Sequence, residues 1–101
     1  MEDQFERLRR LVGDPKIEKL SRSSVIVFGL GGVGSYVTEA LARSGVGKLA
    51  VVDSDRVCLS NINRQIYALH STVDELKVDV AEKRIHDINP DCTVYKYPVF
   101  Y

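Results

Sequence analysis

An apolar run that leads into a glycine-rich turn limits this chain to few folds. The run Ser24–Phe28 is compact and rich in β-branched residues, which predicts a buried parallel strand. Gly29, Gly31 and Gly34 follow with the spacing G-x-G-x-x-G, and the periodic segment after them predicts a helix over residues 32–44. A strand, a tight glycine turn and a helix in this order predict a Rossmann-like α/β fold with a parallel sheet.

The residues before and after this strand–turn–helix unit predict further helices and strands. Residues 1–22 are predicted to form a helical arm, and residues 23–101 a β-α-β-α-β unit with later strands at Lys48–Val52 and Thr93–Tyr97. A helix is predicted between these strands, over residues 74–88. Because three strands leave a wide apolar face to cover, we expect the N-terminal part of a single larger nucleotide-binding domain. The alternative is that the strands pair with a second copy of the chain.

The helix after the glycine turn has a predicted inner face. Val33, Val37, Ala40 and Leu41 have helical spacing and are expected to face the core. Gly45 follows where a left-handed C-cap residue is needed. The turn is therefore expected to sit between a buried strand and a helix packed on it.

Composition narrows the class of protein. The 14 basic and 14 acidic residues balance, so bulk charge does not indicate nucleic-acid binding. Neither a membrane-length apolar run nor a signal peptide is recognisable, because the first ten residues are MEDQFERLRR; a cytoplasmic protein with no membrane partner is expected. Cys58 and Cys92 form no CxxC pair, so no metal site is predicted within the chain.

The turn and the second strand together predict a nucleotide site. Gly31 would allow a phosphate to approach the backbone, and the helix N-terminus would supply N–H groups and a partial positive charge. Asp53 ends the second strand 19 residues after Gly34, where an acidic residue binds ribose hydroxyls in this fold. These features alone fit either a nicotinamide dinucleotide or a nucleoside triphosphate.

Polar residues beyond the second strand favour the triphosphate. Arg64 lies on the loop that leaves the carboxyl edge of the sheet, and Lys77 lies in the first turn of the next helix, whose start faces that edge. Both are predicted to reach the β- and γ-phosphates, although each could instead be a solvated surface charge. Asn61 is suited to orient a phosphate oxygen or a loop carbonyl, and Gln65 to fix the Arg64 loop from behind.

These motifs carry a specific family resemblance. The pattern GLGGVG, then DSDRV, then SNINRQ, then a lysine at the next helix resembles the ubiquitin-activating-enzyme-like adenylation family, also called the ThiF/MoeB/HesA family. The resemblance implies ATP-dependent activation of a carboxylate as an acyl-adenylate, with release of pyrophosphate. The residues that it implies bind ATP are Gly29, Gly31, Gly32, Gly34, Asp53, Asp55, Asn61, Arg64, Gln65 and Lys77.

The resemblance also implies an assembly and a metal. Family members are dimers in which an N-terminal arginine reaches the partner's triphosphate, and Arg7 in FERLRR is the best match, with Arg9 and Arg10 as competitors. Arg64, Lys77 and Arg7 are accordingly the expected catalytic residues. ATP is expected to bind with Mg²⁺, whose protein ligand in the family lies beyond the third strand and so outside this chain.

One branch of the family fits best. Residues 57–92 look like the tRNA threonylcarbamoyladenosine dehydratase branch, which implies ATP-dependent cyclisation of that nucleoside in tRNA. An adenylating enzyme for a ubiquitin-like sulfur carrier is the nearest alternative. A nicotinamide-dependent dehydrogenase domain and a non-catalytic dimerisation module are the others, and a dehydrogenase would prefer NAD to ATP.

Overall fold

The computed structural model describes residues 3–101, so the first two residues of the predicted arm lie outside it. Two short helices precede the sheet, and helices then alternate with strands. The elements are α1 (Glu6–Val12), α2 (Asp14–Ser21), β1 (Ser24–Phe28), α3 (Gly32–Arg43), β2 (Lys48–Val52), a single 3₁₀ turn (Leu59–Asn61), α4 (Lys77–Ile88) and β3 (Thr93–Tyr97).

The three strands form one parallel sheet in the order β1-β2-β3. Phe28 pairs with Val52, and Val52 pairs with Tyr97, so the three strands end at one carboxyl edge. Because parallel crossovers are right-handed, α3 and α4 lie on the same face of the sheet, where they pack against each other. The Rossmann-like fold class is confirmed, and the three strands have the predicted bounds.

The core lies between this helical layer and the sheet. It includes Leu49 and Val51 of β2 and Val78 and Ile85 of α4, all almost completely buried. Strand β1 was predicted to be a buried parallel strand, and in the structure it is buried on one side only. Side chains alternate along a strand, so Val27 faces the helices while Ile26 and Phe28 are exposed on the opposite face. We call the residues Ile26, Phe28, Tyr95 and Tyr97 the helix-free face.

The predicted inner face of α3 is also wrong. Val33 is 80% exposed and Val37 and Ala40 are exposed as well, while Leu41 is partly buried. The inward side chains are small ones instead: Ser35, Thr38 and Ala42.

Gly34 explains why small residues face the sheet. A Cβ on Gly34 would lie 1.7 Å from the carbonyl oxygen of Gly29, so α3 approaches β1 more closely than any side chain would allow. The buried hydroxyls on this face are satisfied within the helix, because Ser35 donates to the Gly31 carbonyl at 2.6 Å and Thr38 to the Gly34 carbonyl at 2.8 Å. Close packing therefore selects small side chains over the large aliphatic ones that periodicity favours.

The start of α4 differs from the prediction by three residues. Asp74 has a φ of 72°, a left-handed conformation that a helix cannot include, and Leu76 is extended. The helix begins at Lys77, which therefore lies in its first turn, as predicted.

The N-terminal helices pack at the far end of α3. Gly13 ends α1 and Gly45 follows α3, both with positive φ, which confirms the predicted left-handed cap at Gly45. The ring of Phe5 packs over Gly45, and the Gln4 amide donates to the Ile88 carbonyl at 2.8 Å. Across residues 3–101, none of the helices has both the length and the apolar character that crossing a bilayer requires.

Candidate functional site

The glycine turn forms the first part of the candidate site, between β1 and α3. Gly29 takes a φ of 88°, and its N–H donates to the Val52 carbonyl at 2.8 Å, which fixes the turn to the end of β2. No side chain caps the helix at Gly31. The N–H groups of the first turn of α3 therefore remain available to bind an anion at the positive end of the helix dipole.

Asp53 joins this turn to the loop after β2. Its Oδ2 accepts a hydrogen bond from the Leu30 N–H at 2.7 Å, and its Oδ1 accepts one from the Asp55 N–H at 2.8 Å. The residue is 7% exposed. A carboxylate has about four acceptor positions, so capacity remains for the ribose hydroxyls that Asp53 is predicted to bind.

The loop after β2 continues the connection to α4. The Lys77 N–H donates to the Asp55 carbonyl at 3.0 Å. A chain of three hydrogen bonds therefore runs from Leu30 in the glycine turn through Asp53 and Asp55 to Lys77. The structure thus brings together the turn, the predicted ribose acceptor and the first residue of α4 at one edge of the sheet.

Lys77 has an unusual environment for a cation. It is 6% exposed, and it is the only lysine or arginine that is buried among residues 3–101. Within those residues its ammonium group makes no ion pair and no hydrogen bond. The ammonium nevertheless reaches solvent, because among residues 3–101 the Tyr67 hydroxyl is the only fully enclosed side-chain polar atom without a partner. The Lys77 ammonium is thus free to pair with an anion at this edge of the sheet.

The loop at residues 61–65 packs against the glycine turn. A Cβ on Gly32 would be 3.9 Å from the Arg64 carbonyl oxygen, and a Cβ on Gly31 would be 3.9 Å from Gln65 Nε2. This contact places Gln65 beside the turn, where it is partly buried.

Asn61 organises that loop from within. Its side-chain oxygen accepts the Cys58 N–H at 3.0 Å, and its carbonyl oxygen accepts the N–H groups of Arg64 and Gln65. Asn61 is buried, so its side chain holds the loop in shape in the structure. Orientation of a phosphate by Asn61 stays a prediction.

Unlike the Lys77 side chain, the Arg64 side chain is exposed and forms hydrogen bonds within its own loop. Its guanidinium is exposed and donates to the Ser60 carbonyl and to the Asn63 side chain, both at 3.0 Å. These bonds fold the side chain back on its own loop. The predicted reach of Arg64 to the phosphates would require a change of side-chain rotamer. Asp55, also predicted to bind ATP, is exposed at the same edge.

Arg7 lies at the other end of the molecule. The α1 helix packs near Gly45, past the far end of α3, whereas the glycine turn is at its start. The 12 residues of α3 span about 18 Å. Arg9 is paired with Asp3 and Asp14, and Arg10 with Glu6, while Arg7 has no ion pair among residues 3–101. Within that range Arg7 is thus the free cation of the three, too distant to serve its own glycine turn.

Sequence reasoning missed a charged network that joins α3 and α4. Arg84 of α4 binds Glu39 of α3 through two hydrogen bonds of 2.6 and 2.9 Å, and Arg43 adds a third contact at 3.0 Å. The hydrogen bond from Arg84 lowers the pKa of Glu39 below its usual value, and burial opposes this effect. The spacing of Glu39 and Arg43 was a readable signal, but the contact with Arg84 spans 45 positions.

Two further observations concern candidate metal ligands and the two cysteines. Within residues 3–101 no three histidine, cysteine or acidic side chains cluster as a metal site would require. The Mg²⁺ ligand implied by the family resemblance stays an expectation. Of the two cysteines, Cys92 is buried and Cys58 is exposed.

Comparison with known proteins gives consistent matches. A family model described as the ThiF family matches residues 5–100. The tRNA threonylcarbamoyladenosine dehydratase of Bacillus subtilis (strain 168) is 51% identical over 98 residues, which cover 97% of this chain and 39% of that protein. The sulfur carrier protein adenylyltransferase of Thermus thermophilus is 44% identical over 88 residues, which cover 87% of this chain and 32% of that protein.

A solved structure agrees closely with the fold. The crystal structure of the Escherichia coli tRNA N6-threonylcarbamoyladenosine dehydratase in complex with ATP superposes with a TM-score of 0.94 at 41% identity. The match covers 96% of this chain and 40% of that one. This chain therefore spans about two fifths of the length of these dehydratase relatives.

Proposed function

Because this chain belongs to the ThiF family, we propose that it is the ATP-binding part of an enzyme that adenylates a carboxylate. The substrate that we propose is threonylcarbamoyladenosine in tRNA, which the enzyme would cyclise in the cytoplasm. The similarity to dehydratases at 51% and 41% identity supports this choice of substrate.

Lys77 is the observation that carries the adenylation proposal. This buried lysine, which has no counter-ion among residues 3–101, stands one hydrogen bond from Asp55 and two from the Asp53 carboxylate. An adenine nucleotide would place its ribose at Asp53, its phosphates along the glycine turn, and negative charge beside Lys77. A nicotinamide dinucleotide has only a pyrophosphate, which the turn could hold without a buried lysine.

The proposed reaction has two steps. A carboxylate oxygen of the modified nucleoside attacks the α-phosphorus of ATP, and the bond to the bridging oxygen breaks so that pyrophosphate leaves. A nucleophilic group of the same modification then attacks the acyl carbon and loses one proton, the acyl–oxygen bond to AMP breaks, and the ring closes as AMP leaves. The net loss of one water is thus coupled to cleavage of ATP.

Charge governs the first step. A carboxylate must approach a polyanion, so cations have to offset the repulsion and stabilise the pyrophosphate that leaves. Lys77 and Arg64 are the proposed groups in this chain, with Gln65 and Asn61 holding the Arg64 loop. Mg²⁺, proposed to bind with ATP through a ligand outside this chain, would neutralise part of the same charge.

The enzyme is proposed to act as a homodimer. Arg7 is exposed, has no ion pair within residues 3–101, and is about the length of α3 away from the glycine turn of its own chain. These observations support a role in which Arg7 reaches the triphosphate of a second copy. A mixture of Arg7→Ala and Lys77→Ala chains should then recover activity, because half of the sites in a mixed dimer would keep both cations.

A second candidate is the adenylation of a sulfur carrier protein. The 44% identity to the adenylyltransferase of Thermus thermophilus favours it, since the same nucleotide edge would serve both reactions. The two candidates differ in the molecule that brings the carboxylate.

The test uses the full-length protein that contains this chain. It would be incubated with ATP, Mg²⁺ and bulk tRNA, after which the nucleosides are analysed by mass spectrometry. We expect an ATP-dependent loss of one water from threonylcarbamoyladenosine, absent in the Lys77→Ala variant and retained in Lys19→Ala.

Either alternative outcome would be informative. Unchanged tRNA together with ATP–pyrophosphate exchange that needs a ubiquitin-like carrier would move the assignment to the second candidate. Binding of NAD in preference to ATP would overturn adenylation altogether.

A further inference from the structure

A short antiparallel pair of segments holds the start of α4. The Val57 N–H donates to the Glu75 carbonyl at 2.8 Å, and the Asp74 N–H donates to the Val57 carbonyl at 2.9 Å. Arg56 and Leu76 form the bridge between the two segments. We call residues 55–57 and 74–77 together the clamp.

One side chain reinforces the clamp. Arg56 Nη1 donates to the Asp74 carbonyl at 2.8 Å. Both backbone polar groups of Asp74 are therefore held, one by Arg56 and the other by Val57. Among residues 3–101 the Arg56 guanidinium forms no ion pair with a carboxylate, and the Asp74 carbonyl is the acceptor of its hydrogen bond.

We infer that Arg56 is a positioning residue that sets the location of Lys77 for binding the β- and γ-phosphates. This inference rests on the proposed function, because Lys77 is assigned to the phosphates there. Arg56 would act through the turn at Asp74 and would not touch the nucleotide.

The local structure explains why the turn needs such support. Asp74 is held at a φ of 72°, which costs free energy for any residue with a Cβ. Leu76, the N-cap of α4, makes no side-chain capping bond, so the usual device for fixing a helix start is missing. The clamp replaces it, and Arg56 is the part of the clamp that a substitution can remove without altering the backbone.

The position of Lys77 should matter for ATP binding more than for AMP binding. Lys77 is the first residue of α4, so a shift of the turn before it moves the ammonium directly. AMP lacks the β- and γ-phosphates. Loosening the clamp should therefore weaken the binding of ATP much more than the binding of AMP.

The experiment measures dissociation constants for ATP and AMP by calorimetry on the full-length protein. The variants are Arg56→Ala, Arg56→Lys, Lys77→Ala and the double variant, with Arg22→Ala as a control that removes an exposed arginine elsewhere. Arg56→Ala should weaken ATP binding about three- to ten-fold, the worth of one hydrogen bond, with AMP binding unchanged. Arg56→Lys should recover part of the loss because an ammonium can still donate to the carbonyl.

The double variant separates positioning from direct contact. If Arg56 acts through Lys77, Arg56→Ala should add nothing once Lys77 is alanine. Additive losses would overturn the inference by showing an independent contact with the phosphates, and so would an unchanged ATP-to-AMP ratio in Arg56→Ala. An unchanged ratio in Lys77→Ala would instead overturn the phosphate role in the proposed function, and the inference with it.

Discussion

The Asp53 carboxylate and the Leu30 backbone are joined by a 2.7 Å hydrogen bond that spans 23 positions of the chain. The residue predicted to bind the ribose is thus also a structural support for the glycine turn. Removing it should affect the empty protein as well as the ligand, which a residue that only binds would not do.

We therefore predict that Asp53→Ala lowers both stability and ATP affinity. Two buried or half-buried N–H groups, from Leu30 and Asp55, would lose their acceptor, at about 1–3 kcal/mol for each donor left unsatisfied. Asp53→Asn should be intermediate, because an amide accepts with one atom only. Urea unfolding with and without ATP measures both effects, and full stability of Asp53→Ala would show that the turn holds itself.

Substitution by alanine should have different effects at two glycines of the turn, Gly34 and Gly32. Gly34→Ala should destabilise the fold severely, since its Cβ would meet the Gly29 carbonyl at 1.7 Å. Gly32→Ala meets nothing closer than 3.9 Å and lies in the first turn of α3, so stability should hold or rise by about 0.5–1 kcal/mol. ATP affinity should nevertheless fall in Gly32→Ala, because a methyl group would stand where a phosphate is expected. Tight ATP binding by Gly32→Ala would contradict this placement of the phosphates.

Lys77→Met should change stability and binding in opposite directions. The substitution keeps most of the buried aliphatic stem and removes an ammonium that makes no ion pair within residues 3–101, so the ligand-free protein should melt at the same or a higher temperature. ATP affinity should fall at least about ten-fold. Thermal melting without and with ATP tests both parts, with Lys19→Met as the matched exposed control. A lower melting temperature of ligand-free Lys77→Met would mean that the ammonium has a stabilising partner.

The Glu39 network should give a stability difference that depends on pH. The hydrogen bond from Arg84 lowers the pKa of Glu39 in the folded protein, so its contribution is present above the unfolded pKa of about 4.3 and is lost as pH falls through the folded pKa. Glu39→Gln should therefore cost about 1–2 kcal/mol at pH 7 and progressively less in acid below about pH 4. Urea unfolding at pH 7 and pH 3 would measure this. Glu18→Gln, which breaks an exposed pair with Arg22, should show little loss at either pH.

Tyr67 should limit stability in alkali. Its hydroxyl is buried without a hydrogen-bond partner among residues 3–101, and burial raises the pKa of Tyr67 to about 12, with the nearby Thr38 acting against the shift. The unfolded chain ionises near pH 10, so this residue stabilises the fold less as pH rises from about 10 towards 12. Tyr67→Phe should keep or slightly raise stability at pH 8 and flatten the decline above pH 10. Tyr36→Phe, at an exposed ring, is the control, and an equal decline in both variants would contradict the assignment.

Sequence periodicity was sufficient to predict the bounds of the regular elements of the sheet. The three strands have the predicted bounds because apolar β-branched runs between turn residues specify them locally. The α3 helix shows where this reasoning fails: Val33 and Val37 have the spacing of an inner face, yet Gly34 brings the helix so close to β1 that only Ser35, Thr38 and Ala42 fit.

The sequence predicted which residues belong to the site better than it predicted the hydrogen bonds between them. The sequence identified Asp53 and Lys77, but the hydrogen bonds that link them use the backbone of Asp55, which leaves no trace in residue types. The left-handed Asp74 was missed because aspartate also suits the first turn of a helix. Arg56 gave no signal because its partner is a carbonyl group 18 positions away.

The hydrogen bonds that run from Leu30 to Lys77 influence how the ligand of such a site could change during evolution. Leu30, Asp55 and Lys77 contribute only main-chain groups to them, and Asp53 supplies the single side chain. Mutation at Asp55 or Lys77 can therefore alter what the edge recognises while the scaffold keeps its shape. A site built in this way can acquire new ligands through successive single substitutions, each tested by selection on an intact fold.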